Sequence, residues 1–243
     1  MERRTEEFAE QGQQETTSVI TPSLTLVERL QGWVQRNWRL LVGAGGVVIL
    51  AAAALVYWNT MQQLRAEEAV TLVSRVYTYY DNGEYERALY GDTTKTVRGE
   101  PVRGLVDIVR EYGATEPGKV AAFYAGSSYL LLGEVAKALP YFELAAKAEA
   151  PLVLVGAYAG IAACKEEEGK LAEAAQLYER AATIGAPIGM AERYRFFAAY
   201  CYELAGDKQK AVQLYRQLLQ DNEFSDFAND AKAGLARLGT TFE

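Results

Sequence analysis

The chain has 243 residues, of which 50% are hydrophobic, and a formal net charge of −7. It contains no histidine, so a Ser-His-Asp triad, imidazole metal ligation and imidazole acid–base catalysis are excluded. Its lysines and arginines are scattered rather than clustered, so we do not expect nucleic acid as a partner. No phosphate-binding loop, thiol-redox pair or nucleophile elbow occurs in the sequence. These exclusions predict a protein that is not an enzyme and carries no metal or cofactor.

The first 39 residues precede a long apolar run and divide into two parts. Residues 1–21 are rich in Glu, Gln and Thr, which predicts a disordered tail. Residues 22–39 begin near a Thr-Pro pair and predict an amphipathic helix, suited to the membrane surface or to a partner helix. A plain helical extension of the next segment is an equally good interpretation. The apolar residues that recur every three or four positions are Leu24, Val27, Leu30, Val34 and Trp38.

Residues 40–58 form a run of 19 positions without charge or proline. At about 1.5 Å per helical residue, this run nearly matches the hydrocarbon core of a bilayer. It therefore predicts a single transmembrane helix that contacts lipid. A cleaved signal peptide is disfavoured, because its apolar core would be about 7–15 residues long and close to the chain start. Aromatic residues prefer the headgroup zone, which predicts four interface anchors: Trp33, Trp38, Tyr57 and Trp58.

The arginines near this helix predict its orientation. Arg29, Arg36 and Arg39 precede it closely, whereas Arg65 and Arg75 follow it. Because positive residues are retained preferentially in the cytoplasm, we expect a cytoplasmic N-terminus and a following domain on the opposite side. In a bacterium, the helix would lie in the inner membrane and the domain in the periplasm.

A glycine, an alanine and an aromatic residue recur at fixed spacing in the second half of the chain, with glycine-to-glycine steps of 36 and 37 residues. This recurrence predicts repeated helical hairpins, in which glycine closes the turn, small residues let helices cross closely and aromatics fill the space between hairpins. A generic helical bundle is the alternative. The three sets are Gly133/Ala138/Phe142, Gly169/Ala174/Tyr178 and Gly206/Ala211/Tyr215.

The same frame extends in both directions. Tyr79, Gly83 and Ala88 fit it upstream, which predicts a degenerate first repeat whose second helix is interrupted by a polar loop at residues 91–104. Downstream, apolar residues at spacings of three and four predict a closing helix. The predicted domain covers residues 59–243, with the degenerate repeat at 66–118, repeats at 119–154, 155–191 and 192–225, and a capping helix at 226–238.

Cys164 and Cys201 occupy the same place in consecutive repeats. Their Cα atoms should therefore be about 8–10 Å apart, the usual distance between packed helices. A disulfide needs Cα atoms closer than about 7 Å. We therefore predict two buried thiols that are not bonded to each other.

The spacing resembles the tetratricopeptide-repeat (TPR) family, with departures. Lys165 stands at a position that is usually aromatic, Leu218 replaces a small residue, and the first-helix tryptophan is absent. The fold expected from these patterns is all-α: a single N-terminal transmembrane helix followed by a TPR-like α-solenoid of about four hairpins with a C-terminal capping helix.

The resemblance implies a partner-binding groove along the first helices of the repeats. This groove would be apolar and aromatic, with Glu166 and Glu203 towards its rim, and it lacks the Lys and Asn cluster that clamps a chain-terminal carboxylate in some members. It would suit a hydrophobic or basic segment of another protein, including an unfolded or incompletely folded client polypeptide. Packing between repeats is the alternative role for any one of these side chains. The matching positions are Phe123, Ser127, Leu130, Ala159, Ala163, Arg193, Phe196 and Tyr200.

The whole arrangement also resembles the bacterial ancillary subunit of the Sec translocon. The resemblance rests on a short tail, a span that ends in Tyr57-Trp58-Asn59, a polar helix over residues 62–76 and the segment from Tyr124 to Leu130. It implies a periplasmic scaffold that associates with the translocon and with chaperones. The alternative is a structural accessory subunit of a large bioenergetic or photosynthetic membrane complex.

Overall fold

The computed structural model of the chain describes residues 26–97 and 99–241. This part of the chain is almost entirely helical, and it divides into two units between Tyr57 and Trp58. The helices are α1 (Leu26–Asp81), α2 (Tyr85–Tyr90), α3 (Leu105–Tyr112), α4 (Glu116–Leu131), α5 (Val135–Ala145), α6 (Pro151–Glu167), α7 (Leu171–Gly185), α8 (Ala191–Leu204), α9 (Lys208–Asp221) and α10 (Ala228–Arg237), and the strands are β1 (Gly91–Val97) and β2 (Glu100–Arg103).

The first unit consists, where it is described, of the N-terminal part of α1. Every residue from 40 to 58 is exposed except Gly45, which is half-buried. By length and composition, α1 is the one helix among the described residues that could cross a membrane; its most apolar stretch has a mean hydropathy of 2.4, and none of that stretch is buried. The predicted tail and the first positions of the predicted juxtamembrane helix lie outside the described residues.

The second unit is a series of helical hairpins closed by tight glycine turns. In each turn the backbone N–H three residues past the helix donates to a carbonyl five residues earlier, as from Glu134 to Tyr129 and from Asp207 to Tyr202. This bond requires a left-handed residue in between, a conformation that glycine adopts without steric penalty. The predicted glycine turns are therefore confirmed, with positive φ angles at Gly83 (76°), Gly133 (78°), Gly169 (73°) and Gly206 (84°).

The core of this unit lies between successive hairpins, where aromatic side chains meet small residues. Phe142 of α5 is 1% exposed. A methyl group added at Gly126 or Gly160 would lie 3.0 Å or less from its ring. The position of this ring therefore depends on glycine in both α4 and α6. Cys164 and Cys201 are buried, as predicted, and both are free thiols.

The second helix of the first repeat is split into α2 and α3, and the chain between them forms an antiparallel β-hairpin of β1 and β2. The prediction of a loop at residues 91–104 was therefore wrong. The backbone at Gly91 and Gly104, at the base of the β-hairpin, leaves no room for a side chain, since a Cβ on Gly104 would lie 2.2 Å from the carbonyl oxygen of Leu89. Gly83 and Gly133 are 50 residues apart, and removal of the 14 residues of this insertion restores a step of 36.

Asp92 fixes the base of the hairpin to α1. One carboxylate oxygen accepts hydrogen bonds from the backbone N–H and the hydroxyl of Thr94 (2.8 and 2.6 Å), and the other accepts from the Tyr79 hydroxyl at 3.0 Å. The hydrogen bonds from Thr94 lower the pKa of Asp92 to about 2. An ionised Asp92 therefore holds a turn of its own strand and, at the same time, a buried tyrosine of the first repeat.

We expect Asp92→Ala to release the β-hairpin from α1 without unfolding the helical hairpins that follow it in the chain. Hydrogen exchange should be about tenfold faster at the amides of β1 and β2 and unchanged in α8 and α9. Because the folded pKa of Asp92 lies below the ordinary Asp value of about 3.9, this anchor is complete above that pH and is lost as the pH falls towards the folded pKa. Thr93→Ala, at an exposed neighbouring position, is the control; equal effects of both variants would contradict the assignment.

A candidate protein-binding cleft

An apolar cleft of about 460 Å³ lies between the C-terminal part of α1 and the start of α4. One wall is built from α1, where Val70 (55% exposed), Val73 (8%) and Tyr77 (39%) recur at helical spacing. The opposite wall comes from α4 and the connection that follows α5. The residues that line the cleft are Val70, Val73, Ser74, Tyr77, Glu116, Pro117, Val120, Tyr124 and Ala150.

The start of α4 is fixed by capping and by one carboxylate. The Thr115 hydroxyl accepts a hydrogen bond from the Gly118 N–H at 3.1 Å and so caps the helix. Glu116 pairs with Lys119 at 2.5 Å and accepts from the backbone N–H of Glu149 at 2.9 Å. Burial raises the pKa of Glu116, but these two partners outweigh it, so the net shift is downward. Glu116 thereby joins the start of α4 to the connection that supplies Ala150.

Aromatic rings close the cleft at the Tyr77 end. The ring centre of Tyr124 lies 5.1 Å from that of Tyr77 and 4.9 Å from that of Tyr80. Phe123 continues the cluster at 5.3 Å from Tyr124, and Tyr85 does so at 5.8 Å from Tyr80. These tilted contacts are the favourable geometry for aromatic pairs, so the rings form a continuous aromatic wall. The cleft therefore combines aliphatic side chains with an aromatic end.

The eight predicted groove residues lie elsewhere on the first helices of the repeats. Three are on α4, two on α6 and three on α8, and none of them is buried. Phe123 contacts the aromatic cluster just described, and Phe196 stacks on Tyr200 with ring centres 6.3 Å apart. None of the eight lines the cleft. They remain predicted groove residues, separate from the cleft: Phe123, Ser127, Leu130, Ala159, Ala163, Arg193, Phe196 and Tyr200.

Glu166 and Glu203, predicted to lie towards the groove rim, both hold helices together through their carboxylates. Glu166 accepts hydrogen bonds from the Tyr178 hydroxyl of its own repeat and from the thiol of Cys201 in the next. Glu203 accepts from the Tyr215 hydroxyl at 2.8 Å and is paired through both oxygens with Arg237. In each repeat the tyrosine lies twelve residues after the glutamate.

Sequence reasoning missed the cleft because it placed the groove in the repeats with the clearest frame. The α1 wall belongs to the repeat that was interpreted as degenerate. Val70, Val73 and Tyr77 carry a signal, since they recur at three and four residues beside a polar face. The inserted β-hairpin increases the sequence separation between the two walls of the cleft. Only the fold therefore shows that Pro117, Val120 and Tyr124 stand opposite these α1 residues.

Within the described part of the chain, no group of three or more Cys, Asp or Glu residues is placed to hold a metal ion. No protein-family model and no curated protein matches the sequence. Similar solved structures include two of a Podosopora anserina protein described as a kinesin light chain with nearly identical TPR-like repeats, one of them a substituted variant. Each is 16% identical with a TM-score of 0.51; the matches cover 71% of this chain and 86% and 85% of those chains. This likeness shows the fold: the repeat domain is an all-α, TPR-like solenoid.

Proposed function

We propose that this protein is a membrane-tethered scaffold that binds other proteins. The observation that carries the proposal is the apolar cleft between α1 and α4. Val70 and Tyr77 expose apolar surface there that no described residue covers, and contiguous exposed apolar surface on a folded domain is typical of an interaction site. Its lining offers no cluster of groups for acid–base or nucleophilic chemistry, so binding is the function that its chemistry supports.

The ligand that fits such a cleft is an apolar segment of another polypeptide. Its lining is dominated by valines, a proline and two tyrosines, and its carboxylate, Glu116, is already neutralised by Lys119. Apolar side chains would therefore supply most of the affinity, and the aromatic end would fix their position. Recognition of a charged chain end has no support from this lining.

The tether in this proposal is the exposed apolar run of α1, residues 40–58. Its lack of charge and the tryptophans at its margins support insertion into a bilayer, and the excess of arginines before it supports a cytoplasmic N-terminus. In a bacterium with this topology, the repeat domain would lie in the periplasm. Protease added to sealed vesicles of known orientation tests this topology; cleavage of the repeat domain from the cytoplasmic side would reverse it.

The host complex in the proposal is the protein-translocation machinery, with periplasmic chaperones as further partners. Support comes from the resemblance in domain order to the ancillary translocon subunit. The second candidate, an accessory subunit of a bioenergetic or photosynthetic complex, is favoured by the same anchored architecture. Purification of the full chain in mild detergent separates them: translocon components support the first, and stoichiometric electron-transfer subunits support the second.

We expect Val70→Asp to reduce recovery of the specific partner by about tenfold, because it places a charge in the cleft without a counter-ion. The matched control is Leu64→Asp, since Leu64 lies on the same helix, is also 55% exposed and does not line the cleft. Quantitative mass spectrometry of the purified complexes measures both variants. Equal recovery with both would show that the cleft is not the binding surface.

Turnover by the purified protein that a single carboxylate substitution abolishes would replace the scaffold proposal with an enzymatic one.

A further inference from the structure

The helix before the predicted span presents an apolar face that nothing in its own unit covers. Residues 26–39 are helical and run into residues 40–57 without a break. The apolar side chains of this segment are largely exposed: Val27 (62%), Leu30 (62%), Trp33 (57%), Val34 (45%) and Trp38 (56%). Exposure of this much apolar area to water is unfavourable, so we expect lipid or another protein surface to cover this face in the native protein.

Lipid does not cover this whole face if residues 40–58 span the bilayer. A continuous helix cannot both cross the membrane and turn to lie in its surface. Its 14 residues from 26 to 39 extend about 21 Å along the axis, whereas the headgroup region on one side is only about 5–8 Å thick. Trp38 therefore falls within the headgroup zone, but Val27 and Leu30 fall beyond it. This step rests on the proposed membrane insertion.

The face follows a heptad pattern, the signature of helices that pair along a left-handed seam. With Val27 as position a, every charged residue between 26 and 40 falls at position b, c or f, which is the outer face: Glu28, Arg29, Arg36 and Arg39. The next a and d positions after the span are Gln62 and Arg65, so the seam ends there. Positions a and d are occupied by Val27, Leu30, Val34, Asn37, Leu41, Ala44, Val48, Ala51, Leu55 and Trp58.

We propose that a second copy of this chain covers the face, in a parallel pair of α1 helices. Two copies inserted with the same orientation bring identical heptads into register, so each seam is complementary to itself. Ala44 and Ala51 allow close approach of the two helices within the span. Asn37 is the polar residue of the seam. Its amide donates one hydrogen bond to the Trp33 carbonyl of its own helix at 2.9 Å, which leaves its second N–H and its carbonyl oxygen for the counterpart in the partner helix. Such a bond fixes register.

The test uses the full-length protein, purified and reconstituted in liposomes at high lipid-to-protein ratio. Single cysteines are introduced on the seam (Leu30→Cys, Val34→Cys) or on the outer face (Arg29→Cys, Gln35→Cys), and the vesicles are treated with a mild oxidant. The native thiols of Cys164 and Cys201 are buried and provide the unsubstituted background. Because a disulfide needs Cα atoms within about 7 Å, we expect about tenfold more covalent dimer from the seam positions.

Equal cross-linking from both faces, or none from the seam, would overturn the pairing and leave a helix of another protein as the covering of this face. Carbonate extraction of the same vesicles distinguishes this failure from failure of the anchor. Protein that stays in the membrane but does not cross-link refutes the pair and leaves the tether intact. Protein released by carbonate refutes both.

Discussion

Gly118→Ala is expected to lower the free energy of unfolding of the repeat domain by about 3 kcal/mol, the upper range for overpacking a buried site. A Cβ at this position would lie 1.8 Å from the carbonyl oxygen of Tyr112 and 2.3 Å from its carbon. These are backbone atoms at the end of α3, so α3 and α4 must separate to admit the methyl group. The higher helix propensity of alanine returns only about 1 kcal/mol.

The matched control is Gly156→Ala in α6, measured by the same urea titration. The three atoms nearest to its new Cβ all belong to the ring of Phe123, with 2.6 Å to the nearest, and that ring is half-exposed and can rotate away. We therefore expect little net change, because the gain in helix propensity offsets a small packing cost. Equal destabilisation by both variants would show that the contact between α3 and α4 is not as close as the structure has it.

Glu203→Gln is expected to destabilise the C-terminal end of the solenoid by about 1–2 kcal/mol. Glu203 accepts from Arg237 through both oxygens, at 2.6 and 2.9 Å, and from the Tyr215 hydroxyl. An amide loses the charge and points N–H groups at the guanidinium donor. Since half of the Arg237 side chain is exposed, solvent limits the loss. Faster hydrogen exchange in α10 is the local measurement, and unfolding by urea is the global one.

Acid should remove the same contribution from the unsubstituted protein. The hydrogen bond from Arg237, followed by that from Tyr215, lowers the pKa of Glu203. The stabilisation is therefore complete above the ordinary Glu pKa of about 4.3 and is lost as the pH falls through the lower, folded value. We expect the two proteins to differ in stability at pH 7 and to converge at strongly acid pH.

Glu166→Gln is the control for the contacts that Glu203 makes with Tyr215 and Arg237. Glu166 accepts from two neutral donors, Tyr178 through one oxygen and Cys201 through the other. An amide oxygen can replace one of these acceptors, and the Tyr178 hydroxyl oxygen can accept from the amide N–H. We expect a smaller loss than for Glu203→Gln and no selective opening of α10. A larger loss of stability with Glu166→Gln would show that the hydrogen bond from the tyrosine hydroxyl, rather than the ion pair with Arg237, supplies most of the stabilisation.

Much of the fold could be predicted because the repeated pattern is local. Gly133, Gly169 and Gly206 end first helices wherever they occur, since left-handed backbone is cheap for glycine alone. The β-hairpin escaped prediction for a different reason. Thr93, Thr94 and Thr96 favour extended structure, but a short strand is stabilised by its partner and by contacts such as that between Asp92 and Tyr79.

The candidate site was harder to predict than the fold, because it depends on which helices become neighbours. Val70 and Tyr77 on one side and Val120 and Tyr124 on the other belong to different repeats, separated by the inserted hairpin. The hydrogen bonds of Glu166 and Glu203 were not predicted, because the repeat frame gives a residue's place on a helix but not its hydrogen-bonding partner. Their tyrosine partners come from the second helix of the same hairpin.

The sequence by itself determined the helical repeats, the apolar run of α1 and the absence of histidine chemistry, because composition and periodicity act through single helices. Tertiary structure alone decided that α1 and α4 enclose an apolar cleft, that the insertion is a β-hairpin, and that two glutamates join neighbouring helices. Those outcomes arise from contacts between residues distant in sequence, whose pairing is set only when the hairpins stack.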